Sequence, residues 1–310
     1  MMNQAWIQEH VDSFIAENRE ALLRDMKTVI DIDSVEAPAE PNAPYGAGVR
    51  KALDAALAIA RDLGLSTGEC DGYMGYADVK GDSDTQLATI THLDVVPAGN
   101  GWDSDPFDMI EKEGWLIGRG VSDDKGPALL TLYMAKFFKE YCDQTGETLP
   151  YTLRVLLGCS EETGMTDVDY YLERNPMPAF CFTPDAEFPV GYGEKGGFGG
   201  VFVSQKLSGN LRDFAGGVAG NVVPDRASAL VKADFASLQE TENVKLAAEG
   251  DCVRITGYGI GGHASKPQGT VNAIGLVVNY LLDNHLCTSA ENEYLAMLRT
   301  LLSCTDGSSF

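Results

Sequence analysis

Two adjacent carboxylates, Glu161 and Glu162, close the stretch TLRVLLGCSEET at residues 152–163. The run from Leu153 to Gly158 reads as a buried strand, so the pair stands at the mouth of a core, where like charges raise each other's protonation cost. Such a pair is expected to meet a cation, share a proton, or both; taken alone, it also reads as a solvated loop with two surface acids. His92 and Asp94, in THLDVVP, directly follow the apolar run LATI. Residues two apart in extended chain share a side, and a carboxylate against one imidazole nitrogen would fix the tautomer and strengthen the other nitrogen as a metal ligand. Asp123 and Asp124, in GRGVSDDKGP, open a helical pattern. Aspartates serve there as helix caps, but two acids followed by Lys125 exceed what capping needs. Asp185, in TPDAEFP, follows the short strand FCFT and reads singly as a turn aspartate. Later, His263 in GGHASKPQGTVNA and Asn221 in GNVVPDRASA read as caps or surface residues, although the glycines before His263 permit close approach to a ligand. Together, His92, Asp123, Glu161, Glu162 and Asp185 are expected on one edge of a sheet, where open α/β sheets bind ligands. Mixed imidazole and carboxylate donors suit Zn2+, and also Mn2+ or Co2+, rather than Ca2+. A glutamate beside a metal-ligating glutamate is placed to take a proton from an activated water.

The elements that must position these residues alternate in type. A helix ending near residue 30 precedes the Pro-rich segment SVEAPAEPNAPYGAG, whose prolines interrupt backbone hydrogen bonding. Helices are expected over 50–63, 126–142 and 167–173, with strands at YADVKG, LATITH, 153–158 and 180–183, and a hairpin at IEKEGWLIGRG. This interleaving implies an α/β fold with a mixed, partly parallel sheet and flanking helices over residues 1–189. From 190 to 310 glycine becomes dense, and strands at FGGVFVSQKL (198–207), ASALVKADF and DCVRITGYG lead into helices over 271–285 and 290–304. A β-rich run followed by helices predicts a smaller α+β domain. At 310 residues, 44% hydrophobic, the chain can bury two cores. Its 23 basic and 46 acidic residues, a net charge of −23, argue against nucleic acid or an anionic membrane as partner and for a cation or small molecule. The seven cysteines are scattered, with no CxxC spacing, which predicts reduced thiols. No run approaches the roughly 18 apolar residues that span a bilayer, and the expected location is cytoplasmic.

The motifs HLDVVP, WDSDPF, GRGVSDDKGP, EETG with DYYLE after it, TPDAEFP, GEKGG, NVVPD and GGHASKPQGTVNA follow one another in this chain. Their order resembles the co-catalytic zinc peptidases of the glutamate-carboxypeptidase and aminoacylase superfamily, most of all the bacterial dipeptidase, carnosinase-like branch. The resemblance implies a catalytic domain with a smaller lid and two zinc ions bridged by Asp123. His92 and Asp185 would complete one site and Glu162 would bind the other. It further implies that Asp94 orients His92, that Glu161 is the general base, and that the peptide bond before Asp124 is cis. His263, from the lid, would polarise the scissile carbonyl, and Asn221 would help bind a small peptide with a free amino terminus.

The same resemblance calls for a further metal-binding histidine and a carboxylate-binding arginine late in the sequence. The four histidines here are 10, 92, 263 and 285, and neither His10 nor His285 matches that motif. The sequence therefore reads as a member truncated at its carboxyl end, with both domains incomplete. The His92, Asp123 and Asp185 site is expected to keep its ligands, and the Glu162 site to bind weakly or stand empty. The alternatives are a deacylase of N-acyl amino acids or succinyl-diaminopimelate, and an inactive fragment that binds metal or peptide. Metal identity, substrate and oligomeric state are left open.

Overall fold

The computed structural model describes residues 4–99, 101–186, 189–191, 193, 200, 201, 203 and 208–305. The chain divides into two units, Met1–Lys195 and Gly196–Phe310.

In the first unit two helices, α1 (Gln4–Ile30) and α2 (Ala47–Asp62), precede strands β1 (Ser66–Cys70), β2 (Met74–Val79) and β3 (Gln86–His92). The hairpin β4 (Ile110–Lys112) and β5 (Trp115–Ile117) leads to helix α3 (Lys125–Thr145), strand β6 (Thr152–Gly158), helix α4 (Thr166–Leu172) and strand β7 (Phe180–Phe182). The five-stranded sheet runs β1-β2-β6-β3-β7. Strands β6 and β7 both lie parallel to β3, while β1 and β2 are antiparallel additions. Parallel strands need crossovers, and α3 and α4 supply them. Every residue of β6 is buried, as a central strand covered on both faces requires.

Helix α2 shows how the main core is built. Val49, Ala52, Leu53, Ala56, Leu57 and Ala60 recur at helical spacing and are buried. They pack with Met26, Val29 and Ile30 of α1, Ala128, Leu129 and Leu132 of α3, and Val155 and Leu157 of β6. Truncating one of the large members, Leu53→Ala for example, would cost about 2–5 kcal/mol. A smaller cluster of Cys70, Met74, Ala88, Leu156 and Tyr171 includes a residue of α4. Arg154 of β6 is buried beside it, paired to Asp78 through two contacts of 2.8 Å, and donates to the Tyr171 hydroxyl at 2.7 Å.

The second unit has strands β8 (Leu211–Gly216), β9 (Val222–Val223), β10 (Arg226–Lys232), β11 (Val244–Glu249), β12 (Cys252–Tyr258) and β13 (Gly262–His263), then helices α5 (Ala273–Asp283) and α6 (Ser289–Leu301). Its four-stranded antiparallel sheet runs β11-β12-β10-β8. Alternate residues of β10 and β12 are buried, the period-two pattern of a sheet with one covered face. Ala229, Val231, Val253 and Ile255 pack with Val277, Leu281 and Leu295 of the helices. β9 and β13 form a separate two-stranded ribbon.

The expected helices and strands that fall within the described residues recur with shifted ends. α3 extends from the expected 126–142 to Lys125–Thr145, and α2 begins at Ala47 rather than 50. Strands β1, β8, β9, β11 and β13 have no counterpart in the sequence reading, because short edge strands with mixed exposure carry no continuous apolar run. The GEKGG motif from residue 194 onward, and the strand expected at 198–207 apart from 200, 201 and 203, lie outside the described residues. All seven cysteines are free thiols. No helix among the described residues is long and apolar enough to cross a membrane.

Candidate metal centre

The parallel strands place the chemistry. β3 and β6 run in register from Gln86 opposite Thr152 to His92 opposite Gly158, so both end at the same level. Beyond those ends lie Asp94 on one segment and Glu161 and Glu162 on the other, and β7 delivers Asp185 past its own end. Asp123 and Asp124 arrive from the loop that enters α3. That loop closes tightly: the Gly126 amide donates to the Gly120 carbonyl at 3.0 Å, and a Cβ at Gly126 would lie 2.0 Å from the Val121 oxygen. Only glycine fits there.

His92 is the hub, almost fully buried at 2% exposure. Its Nε2 lies 3.0 Å from Asp123 Oδ1, 3.4 Å from Asp185 Oδ2 and 3.9 Å from Glu161 Oε2. Single atoms from His92, Asp124 and Asp185 fall within 4.8 Å of one another, as do atoms from His92, Asp123 and Glu162. The sequence reading grouped Asp123, not Asp124, with His92 and Asp185. Asp124 joins that group because its Oδ2 accepts the His92 backbone N–H at 3.0 Å, which holds the carboxylate against the end of β3. Asp124 therefore stands at the N-cap of α3 without a capping hydrogen bond from its side chain, and the capping alternative does not hold for it. The Asp123–Asp124 peptide bond is cis.

Asp94 holds the imidazole through two groups, its backbone carbonyl as well as its carboxylate. His92 Nδ1 lies 2.9 Å from the Asp94 backbone carbonyl and 3.4 Å from its carboxylate. The same carboxylate also accepts the backbone N–H groups of Glu161 at 3.2 Å and Glu162 at 3.1 Å. One buried acid thus positions the next two.

Electrostatics follow from packing several acids at a partly buried strand end. Burial raises Glu161, and burial with the Asp123 charge pushes Glu162 up to about 7. Asp124 is pushed up to about 8 by burial and by Asp185, and its Oδ1 is buried with no hydrogen-bond partner. Burial by itself would lower His92, but hydrogen bonds to Asp123, Asp185 and Asp94 outweigh it and hold the ring protonated well above its usual range. Lys125 is fully buried, its Nζ donating to the Ile32 carbonyl at 2.6 Å, and burial brings it down to about 8. Among the described residues no lysine or arginine forms an ion pair with Asp124, Glu161, Glu162 or Asp185, and the His92 ring is the only basic side chain at that range of Glu161 and Asp185. Oxygen donors converging on one imidazole nitrogen, with a buried oxygen left unsatisfied, fit a divalent cation.

Sequence reasoning missed the residues that brace the acid loop. The Asp167 carboxylate accepts the Cys159 N–H at 2.6 Å and packs so close to Gly158 that a Cβ there would lie 2.8 Å from its Oδ2. The Thr163 hydroxyl donates to Glu36, and the Tyr45 and Thr166 hydroxyls are 2.7 Å apart. The Pro-rich segment therefore straps the loop, a role no local motif announces. A cavity of about 710 Å³ in the same unit is lined by His92, Glu161 and Asp185 together with Ile90, Met165 and Val168.

Asn221 and His263 lie in the second unit and come together there. The Ala264 N–H donates to the Asn221 carbonyl at 2.7 Å, alongside the pairing of His263 with Val222.

Comparison with known proteins bears on these two clusters. The model of peptidase family M20/M25/M40 matches residues 88–264, from β3 to just past His263. The chain is similar to the Bacillus subtilis (strain 168) protein YtjP, 31% identical over 292 residues, which is 88% of this chain and 62% of that protein. It is also similar to the Beta-Ala-Xaa dipeptidase of Lactobacillus delbrueckii subsp. lactis, 34% identical over 302 residues, 90% of this chain and 62% of that enzyme. The chain thus spans 62% of the length of both curated relatives. Among solved structures, human carnosine dipeptidase 1 aligns at 21% identity and a TM-score of 0.45 over 54% of this chain and 38% of that one.

Proposed function

The chain belongs to peptidase family M20/M25/M40, and from that premise we propose that it is a metal-dependent hydrolase of dipeptides with a free amino terminus. The observation that carries the reading is the gathering of Asp123 and Asp185 at 3.0 and 3.4 Å from one imidazole nitrogen, beside the unsatisfied oxygen of Asp124. Asp123 would bridge two cations, with His92 and Asp185 on one and Glu162 on the other. Zinc suits these donors, as do manganese and cobalt. Bound there, such ions would acidify a water and polarise the scissile carbonyl.

The chain's own groups supply the remaining chemistry. Glu161, raised by burial, takes the proton from the attacking water and returns it to the leaving amine, and a carboxylate tuned upward is the better base near neutral pH. Asp94 holds the Glu161 and Glu162 backbone in place. His263 donates a hydrogen bond to the carbonyl oxygen as charge develops, and Asn221 contributes to substrate binding. The similarity to a dipeptidase named for Beta-Ala-Xaa substrates supports short peptides over N-acyl amino acids.

The test is metal content per chain, followed by hydrolysis of a panel of dipeptides and N-acyl amino acids with added Zn2+, Mn2+ or Co2+. Bound divalent metal and chelator-sensitive cleavage of dipeptides are expected. Preference for the N-acyl compounds would make the chain a deacylase, and failure to bind any divalent ion would end the reading.

A further inference from the structure

The second unit carries an imidazole whose protonation pattern is legible from its partners. His263 ends β13, and the turn after it folds back on the ring: the Ser265 backbone N–H donates to His263 Nδ1 at 3.2 Å, and the Ser265 hydroxyl lies 2.7 Å from the same nitrogen. A backbone amide can only donate, so Nδ1 must be the acceptor and carries no proton. Toward an unprotonated Nδ1 the hydroxyl at 2.7 Å can only be the donor. In the neutral ring the single proton is left on Nε2.

The turn itself is anchored. The Lys266 N–H donates to the His263 carbonyl at 3.0 Å, and the Ala264 N–H donates to the Asn221 carbonyl at 2.7 Å, which ties the turn to the neighbouring strand. The ring itself is held by Ser265 of that anchored turn, and it is exposed.

We propose that Ser265 is a positioning residue that locks neutral His263 as the Nε2–H tautomer, which makes this imidazole a hydrogen-bond donor. Both nitrogens are then committed: Nδ1 accepts from Ser265, and Nε2 presents a proton. A neutral ring so held does not ligate a cation through Nε2 and does not act as a base through it. The use of that donor on a peptide carbonyl rests on the function proposed above, whereas the tautomer does not. Ser265 thus accounts for how one exposed histidine is confined to electrophilic assistance while His92 gathers carboxylates.

The experiment is a long-range 1H–15N correlation spectrum of the uniformly 15N-labelled chain at alkaline pH, with His263 assigned by its loss in His263→Gln. The expected pattern is a single Nε2–H tautomer with Nδ1 shielded by accepted hydrogen bonds. In Ser265→Ala that shielding should shrink and the tautomers should mix, and Ser265→Thr, which keeps a hydroxyl, should restore the original pattern. A protonated Nδ1 in the unaltered chain, or a spectrum indifferent to Ser265→Ala, overturns the proposal. In dipeptide hydrolysis Ser265→Ala should lower kcat about fivefold with KM little changed, the size expected of one hydrogen bond. The expected spectrum with no hydrolysis would uphold the tautomer lock and count against the peptidase reading instead.

Discussion

Two buried carboxylates, one in each unit, answer burial in opposite directions. Glu291 of α6 is 1% exposed and accepts the N–H groups of Asn210, Leu211 and Thr288 at 3.1, 2.9 and 2.8 Å and the Thr288 hydroxyl at 2.9 Å. Burial alone would raise it, yet these donors bring its carboxyl below the usual value. Asp124 is 0% exposed but, among the described residues, accepts only the His92 N–H, leaves its other oxygen unsatisfied and is pushed up to about 8. The difference lies in the donors, not in the burial. Glu291 completes a capping box and ties α6 to β8, so its charge is fully served by the protein. Asp124, Glu161 and Glu162 are left with too few donors at a sheet edge, the condition of acids held for a ligand.

The largest predicted effect tests the first unit's acids directly. Glu161→Gln should cut dipeptide hydrolysis by about 10²–10⁴-fold with metal content per chain unchanged; loss of metal along with activity would instead place Glu161 among the ligands. His263→Gln should lower kcat by about 10²–10³-fold, again with metal retained, since in the proposed function His263 donates a hydrogen bond and holds no metal. Asp94→Asn replaces one acceptor oxygen by an amide facing a backbone N–H, and a drop of about 10–100-fold in metal affinity or activity is expected. Equal metal binding and turnover in that variant would show that the Glu161–Glu162 backbone needs no such clamp.

Two smaller effects sharpen the contrast between the buried acids. Glu291→Gln, measured by denaturant unfolding, should cost about 1–3 kcal/mol and leave metal binding untouched, because every contact of that carboxylate is structural. The pH dependence of the metal-free chain comes from the other set. A carboxyl whose folded value exceeds its unfolded one makes the folded state bind more protons, so its stabilising contribution is greatest below the unfolded value and drains away as pH rises through the folded one. Glu162, at about 7 against an ordinary 4.5, and Asp124, at about 8 against 3.8, therefore predict a Tm that falls by a few degrees between pH 5 and 8. His92, held above its ordinary value, works in the same sense. A divalent ion should flatten or reverse the slope, and a metal-free Tm that climbs across that window would contradict the arrangement of acids described here.

Much of the first unit was legible because its signals are local. The apolar run of β6 could only be a buried strand, and the spacing in α2 could only be one face of a helix. The metal-centre candidates were legible only together: each acid singly reads as a loop, cap or turn residue, and their common place at strand and helix ends pointed to a cation. What escaped notice acts at a distance in sequence. The strap from Glu36 and Tyr45 spans more than a hundred residues to Thr163 and Thr166, and the second task of the Asp94 carboxylate, accepting two backbone amides, depends on where β6 happens to end. The short strands β9 and β13, which carry Asn221's neighbour and His263, are two residues each and leave no periodic trace.

Residue types and their order along the chain determined which side chains could do chemistry, because a histidine and five acids at strand and helix ends keep their character in any fold. Whether a given carboxylate is satisfied or left wanting was decided only in three dimensions. Asp124 and Glu291 are the same functional group in similarly dry places, and they differ because the backbone amides that could serve them come from remote segments, many for one and a single one for the other. Donor supply is a property of the folded neighbourhood, and no reading of adjacent letters contains it.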